Sequence, residues 1–243
     1  RNLTGAGPYL FPPVIRLETV QLDRAGAAPS PGTGTDTPLA KLLFLLTLPG
    51  VTVFALFTLA DQGMRDLLAE GRLHTLQRQL SGPVGAGTVV TAKAASTAVV
   101  LALGLLVIAP FAAWAAAGRK IDVPALVVQG LALILAAIGF AAALYGLMRN
   151  ERQGATLGSL FYLAMAFSGG SFIPLDSLPG ALRRLAPFSP FYWASEGFKE
   201  LLARDGTFRD VLPNIAILTG MGVVLLALGS FLLRRRVLRG AAA

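Results

Sequence analysis

Five stretches of this sequence run for about twenty residues each with no charged side chain in their interiors, which rules out most ways a chain can fold. They lie at residues 39–60, 94–117, 123–148, 154–173 and 213–233. Such a run does not suit the half-wet surface of a soluble helix. In hydrocarbon it is the expected solution, because a helix satisfies its own backbone N–H and C=O groups where no water can. Charged residues make up 14% of the chain and apolar residues 54%, against about a quarter charged in an ordinary soluble domain. The sequence therefore predicts an all-α, polytopic helical membrane protein. Gln129, Gln153 and Asn214 are the polar exceptions, near the ends of the runs.

Small residues recur within the runs at four-residue spacing, as at Ala132/Ala136 and Gly139/Ala143. Helices in lipid gain nothing from hiding apolar surface from water, so close backbone approach through small residues becomes the means of packing. These pairs are read as packing positions.

The net charge of +8 is distributed in a way that sets topology. Arg65, Arg72, Arg78 and Lys93 lie between the first two runs, Arg149 and Arg152 between the third and fourth, and Arg234, Arg235, Arg236 and Arg239 after the fifth. Loops rich in Lys and Arg stay in the cytoplasm. The charge is thus a signature of orientation in a plasma membrane, with a cytoplasmic C-terminus, and no nucleic-acid footprint. The same assignment puts residues 1–38 outside, as the end of an external domain plus a Pro/Gly/Ser/Thr linker at 27–37. Delivery of that segment across the membrane predicts an earlier span, giving six in all, with residues 39–240 as the transmembrane domain. The chain has no cysteine, which removes disulfides and thiol chemistry. A lone histidine, His74, forms no metal cluster and is read as a polar contact.

Two segments are not spans. Over residues 64–80, Met64, Leu67, Leu68, Leu73, Leu76 and Leu80 recur at three and four, with Arg65, Asp66, Glu70, Arg72, Gln77 and Arg78 between them. This predicts an amphipathic helix on the cytoplasmic membrane surface, bent near Gly71 and ended by Ser81-Gly82-Pro83. Residues 174–203 predict a helical hairpin that dips into the outer leaflet. Gly169 and Gly170 end the preceding span, a short helix covers residues 180–185, and Ser189-Pro190 opens a second helix carrying Phe191, Tyr192, Trp193 and Phe198 as an interfacial aromatic belt.

These two segments resemble the type-2 ABC exporter permeases. That family carries a cytoplasmic coupling helix of the pattern Glu, then Gly-Thr-Leu-Glu-Arg-Leu-Leu, then Pro, with Gly-Lys at the start of the next span. Here the run is Glu70, His74-Thr75-Leu76-Gln77-Arg78-Gln79-Leu80, Pro83 and Ala92-Lys93, with His74, Gln77 and Gln79 departing from the pattern. The family's glycine-rich span end, Pro, Leu-Pro and Glu-bearing helix are matched by Gly169-Gly170, Pro174, Leu178-Pro179, Pro187, Pro190 and Glu196. The resemblance covers about residues 39–239. It implies two permease copies around a pathway, with ATP-binding-cassette subunits docked at Glu70, Thr75, Arg78 and Pro83. It also implies an external gate at Gly169, Gly170, Pro174, Pro179, Pro190 and Glu196, and a lipophilic cargo such as a drug or lipid.

No Gly-x-x-x-x-Gly-Lys-Ser/Thr loop occurs in the chain, so ATP in this scheme is bound and hydrolysed by a partner subunit and no cofactor is bound directly. The expectation is a transport subunit rather than an enzyme. Two alternatives stay open: an ion-coupled carrier, which needs an ionisable residue inside a span, and a membrane scaffold that recruits a cytoplasmic partner through residues 64–80.

Overall fold

The computed structural model describes residues 38–72, 86–116, 119–148, 151–172 and 179–241, and all regular structure among them is helical. The helices are α1 (Pro38–Arg72), α2 (Ala86–Ala115), α3 (Val123–Leu147), α4 (Glu151–Ser168), α5 (Gly180–Leu185), α6 (Pro190–Ala203) and α7 (Phe208–Ala241), with a 3₁₀ turn at Ala186–Phe188 between α5 and α6. The chain is an all-α, polytopic membrane protein.

Among the described residues, four helices are long and apolar enough to cross a bilayer: Phe44–Arg65, Gly87–Ala115, Val123–Leu147 and Phe208–Leu233. The fifth expected run, at 154–173, forms the 18-residue α4. Among the described residues its apolar part is Thr156–Ser168. At 1.5 Å per residue the whole of α4 measures about 27 Å, just short of the roughly 30 Å hydrocarbon core. Leu157, Leu160, Phe161 and Phe167 are nonetheless exposed along it, the surface expected of a helix that faces lipid.

The helices alternate in direction. Gly63 of α1 lies against Thr97 of α2, and Gly104 of α2 against Leu56 and Leu59, so α1 and α2 are antiparallel. Helix α3 instead runs parallel to α7. Gly222 meets Ala136 and Gly139, Gly229 meets Ala142 and Ala143, and Leu232 meets Gly146, both helices advancing together. A Cβ on Gly139 would overlap the Gly222 carbonyl, and one on Gly229 the backbone of Ala142 and Ala143. The pair is therefore seated backbone to backbone, and Ala136, Gly139 and Ala143 serve as the packing positions their spacing predicted. Such contact maximises dispersion in a medium that offers no hydrophobic drive.

Helix α3 is the axis of the bundle, with 72% of its apolar window buried, whereas α2 is peripheral with 17%. Around α3, Phe57, Leu101, Leu133, Tyr145, Tyr162, Phe191 and Leu218 are all but fully buried and come from α1, α2, α3, α4, α6 and α7. Pro49 lies within α1. A Cβ on the next residue, Gly50, would overlap the Ser171 carbonyl, so the α1 backbone abuts the turn after α4 at this level.

Candidate functional site

The glycine pair after α4 forms a helix stop. Gly170 takes φ 70°, the left-handed conformation that glycine adopts without strain. The Ser171 N–H returns to the Ala166 carbonyl (3.0 Å) and the Gly170 N–H to the Phe167 carbonyl (3.2 Å), the two bonds of a Schellman cap. Gly169 is needed for space, because a Cβ there would lie 2.8 Å from Phe191 Cβ and 2.9 Å from the Tyr192 nitrogen.

The carbonyls that this cap leaves over are taken up by α6. Lys199 Nζ donates to the Gly170 carbonyl (3.0 Å) and Ser195 Oγ to the Gly169 carbonyl (3.4 Å). Lys199 is 7% exposed, and its charge is met by Glu196 at 3.0 Å. Glu196 also accepts from Arg204 at 3.1 Å. Glu200, at 2.9 Å, and then Glu196 hold the Arg204 guanidinium above its ordinary value, against the opposing effect of burial. Of the expected gate residues, the fold thus brings Gly169, Gly170, Pro190 and Glu196 together around α6. Pro179 sits at the exposed head of α5, its carbonyl accepting from the Arg183 N–H (3.1 Å), and Pro174 lies outside the described residues.

Two details of this hairpin differ from expectation. Ser189 occupies the N-cap position, yet its hydroxyl makes no cap bond and donates to the Met165 carbonyl of α4 (3.2 Å). Phe191 is no interfacial anchor. It is fully buried and stacks on Phe57 with ring centroids 4.1 Å apart, in a cluster with Phe140 and Tyr162. Only Tyr192 and Trp193 keep partial exposure, and Trp193 Nε1 donates to the Pro187 carbonyl (2.8 Å). The cause is the depth at which α6 is seated. The wholly buried Gln129 of α3 donates to the Trp193 and Ala194 carbonyls, each at 3.3 Å, and its amide occupies the space a Cβ on Gly197 would take.

At the opposite end of the bundle α1 does not stop at the expected boundary near Ala60. It runs unbroken through Gly71 to Arg72. Met64, expected on a separate surface helix, is 1% exposed and belongs to the core. A single glycine costs a helix only about 1 kcal/mol, too little to break one otherwise made of Leu, Ala and Glu. Glu70 therefore stands on the final turns of α1. Its side chain lies outside the described residues, as do His74, Thr75, Arg78 and Pro83.

This extension places a charged pair inside the first span, where the sequence suggested none. Asp61 is 4% exposed and is held by Arg65 one turn on, whose Nη2 donates to Asp61 Oδ2. Arg65 Nε also donates to the Tyr145 hydroxyl of α3 (3.2 Å). The signal for this site was an Asp-x-x-x-Arg spacing at the edge of an apolar run, which puts both side chains on one helix face.

Between α1, α2, α3 and α6 lies an apolar cavity of about 260 Å³, lined among others by Pro49, Ala109, Gly130, Ile134, Phe198 and Leu202. Its walls carry almost no hydrogen-bonding groups, Thr52 being the one polar side chain, so it can receive hydrocarbon but cannot orient a polar molecule.

Comparison with known proteins agrees with this architecture. Residues 29–231 match the family described as ABC-2 family transporter protein. The linearmycin resistance permease protein LnrN of Bacillus subtilis (strain 168) is 29% identical over 112 residues, which is 46% of this chain and 29% of that protein. The putative transport permease YvfS of the same organism is 27% identical over 110 residues, 44% of each chain. The match therefore spans less than half the length of either relative. No solved structure matches the chain. Because the family match runs from before α1 almost to the end of α7 and takes in the span order, the glycine stop and the α5–α6 hairpin, this chain belongs to the ABC-2 family of transporter proteins.

Proposed function

We propose that the chain is the membrane-spanning part of an ATP-driven exporter, that an ATP-binding-cassette subunit docks on the segment from Glu70 to Pro83, and that a second permease copy completes the pathway. Family membership supports the transport role, and both relatives are named as permeases. The observation that carries the coupling mechanism is the unbroken course of α1. One rigid helix joins the core residues Phe57 and Ala60 to Glu70 and Arg72, so a push on its far end is delivered to the centre of the bundle. The basic residues near that end favour a cytoplasmic location for it in a bacterial plasma membrane. The apolar cavity fits a lipophilic cargo, such as a drug or lipid, better than a polar one.

Asp61 gives the ion-coupled carrier a foothold, since such a carrier needs an acid inside a span. Its pairing with Arg65 on the same helix already neutralises that charge, which favours the ATP-driven reading.

The test is reconstitution of the full-length permease with its ATP-binding subunit in proteoliposomes. The expected result is a stable complex whose ATP hydrolysis is raised by the permease and weakened by Glu70→Ala or Arg78→Ala. Linearmycin, named for one relative, is the first compound to try as cargo. Absence of a complex, or transport that persists without ATP and collapses with the ion gradient, would sink the proposal.

A further inference from the structure

Two buried polar atoms on neighbouring helices stand without hydrogen-bond partners near the Arg65 end of the bundle. One is Asp61 Oδ1 on α1 and the other is the Tyr162 hydroxyl on α4. Asp61 is 4% exposed and Tyr162 is 1% exposed. The first is an acceptor and the second a donor. Close to the first is Gly158 of α4, where a Cβ would lie 3.4 Å from Asp61 Oδ1 and 3.7 Å from the Tyr145 hydroxyl. Tyr162 follows Gly158 by four residues and so shares its helix face. A buried acceptor on α1 thus looks onto the backbone of α4, with a buried donor one turn further along.

Leaving such groups unmade costs about 1–3 kcal/mol each. Here the two are complementary, and a single hydrogen bond would relieve both. The remaining contacts suit an exchange. Arg65 donates to Asp61 through Oδ2 and to the Tyr145 hydroxyl, which itself faces the Asp61 carboxylate, so a bond from Tyr162 to Oδ1 would leave the ion pair intact. The register favours the pairing, because Tyr162 lies one helical turn, roughly 5 Å, along α4 from Gly158. Glycine at 158 leaves the approach clear.

We propose that Asp61 and Tyr162 pair in a second arrangement of the bundle, so that α1 has two stable seats against α4 and shifts between them during the transport cycle. This rests on reading the end of α1 as the docking surface of an ATP-binding subunit. Asp61 lies nine residues before Glu70 on the same uninterrupted helix, so docking-site movement reaches it directly. Asp61 and Tyr162 are positioning residues in this scheme, with no contact to cargo or nucleotide. A switch needs two states of similar free energy, and exchanging one hydrogen bond within an otherwise intact pair supplies that.

The experiment uses the full-length permease reconstituted with its ATP-binding subunit in lipid nanodiscs, and reads complex recovery, thermal stability and ATP turnover. Tyr162→Phe removes a hydroxyl that bonds to nothing in this arrangement, so a purely structural role predicts unchanged or slightly raised stability and unchanged turnover. The switch instead predicts turnover lower by about tenfold or more, the worth of a hydrogen bond to a charged group, with stability and complex recovery intact. Gly158→Ala, which sets a methyl group in the approach, is expected to reproduce the loss and covers a Tyr162→Phe protein that does not fold. Wild-type turnover in both variants would overturn the switch alone. A wild-type permease that neither binds nor stimulates the ATP-binding subunit would overturn the docking reading, and the switch with it.

Discussion

The carboxylate of Asp122 caps two helices that are far apart in sequence. Its Oδ1 accepts from the Ala125 N–H (3.1 Å) at the start of α3, and its Oδ2 accepts from the Phe208 N–H (2.9 Å) at the start of α7. Both are helix N-termini, where unpaired N–H groups and the helix dipole favour a negative charge. Arg119 sits beside it and donates to the Ala203 carbonyl, closing the same corner from the other side.

Asp122→Ala removes both caps together and is expected to lower stability by about 2 kcal/mol, roughly the sum of two ordinary caps. Asp122→Asn keeps a single acceptor oxygen and is expected to fall about midway. Thermal unfolding of the purified protein in one detergent, with the three proteins side by side, checks the order. Equal melting of Ala and wild type would show that the double cap contributes nothing.

Gly139→Val is expected to be severe, because its first added atom already overlaps the Gly222 carbonyl and neither backbone has a rotamer with which to yield. Overpacking of this kind costs about 1–3 kcal/mol in soluble cores, and a rigid backbone contact belongs at the upper end. Gly220, also on α7, has nothing within 4 Å of where a Cβ would stand, so Gly220→Val is the matched control and should fold normally. Yield and melting temperature of the two variants decide the matter.

Lys199→Met leaves Glu196 half-deprived of counter-charge and the Gly170 carbonyl without its donor, and is expected to cost about 3 kcal/mol, as for a buried pair broken from one side. Adding Glu196→Gln to it should recover part of the loss, since the orphaned charge is then gone. Additive losses in that double-mutant cycle would rule out a coupled pair.

Most of the bundle could be read from residue type alone. Uncharged runs located the middles of α1, α2 and α7 and nearly the whole of α3, although α1 runs on from Ala60 to Arg72, α2 begins at Ala86 and α7 spans Phe208–Ala241, and Leu-Pro with Ser-Pro punctuation placed α5 and α6. What could not be read depended on partners distant in sequence. Asp61 looks like a loop residue until Tyr145, eighty residues later, is seen to share Arg65 with it. Phe191 has the composition of an interfacial aromatic, and only the stack on Phe57 shows that α6 is driven into the core. Ser189 has cap chemistry and the right position, but the Met165 carbonyl of α4 competes for its hydroxyl and wins. Hydropathy sorts residues by the medium they prefer, whereas these three were placed by a neighbour.

The backbone-to-backbone seam between α3 and α7 has a consequence for how the protein is made. The most enclosed helix of the bundle rests along its length on one that leaves the ribosome about eighty residues later. Until then α3 must wait in the bilayer with its glycine and alanine face covered only by lipid tails, which fit such a face poorly. The bundle therefore cannot close progressively as its spans are inserted. The α3–α7 seam forms only once α7 is inserted, and a chain cut short before Phe208 should be inserted into the membrane yet remain open to quality-control proteases.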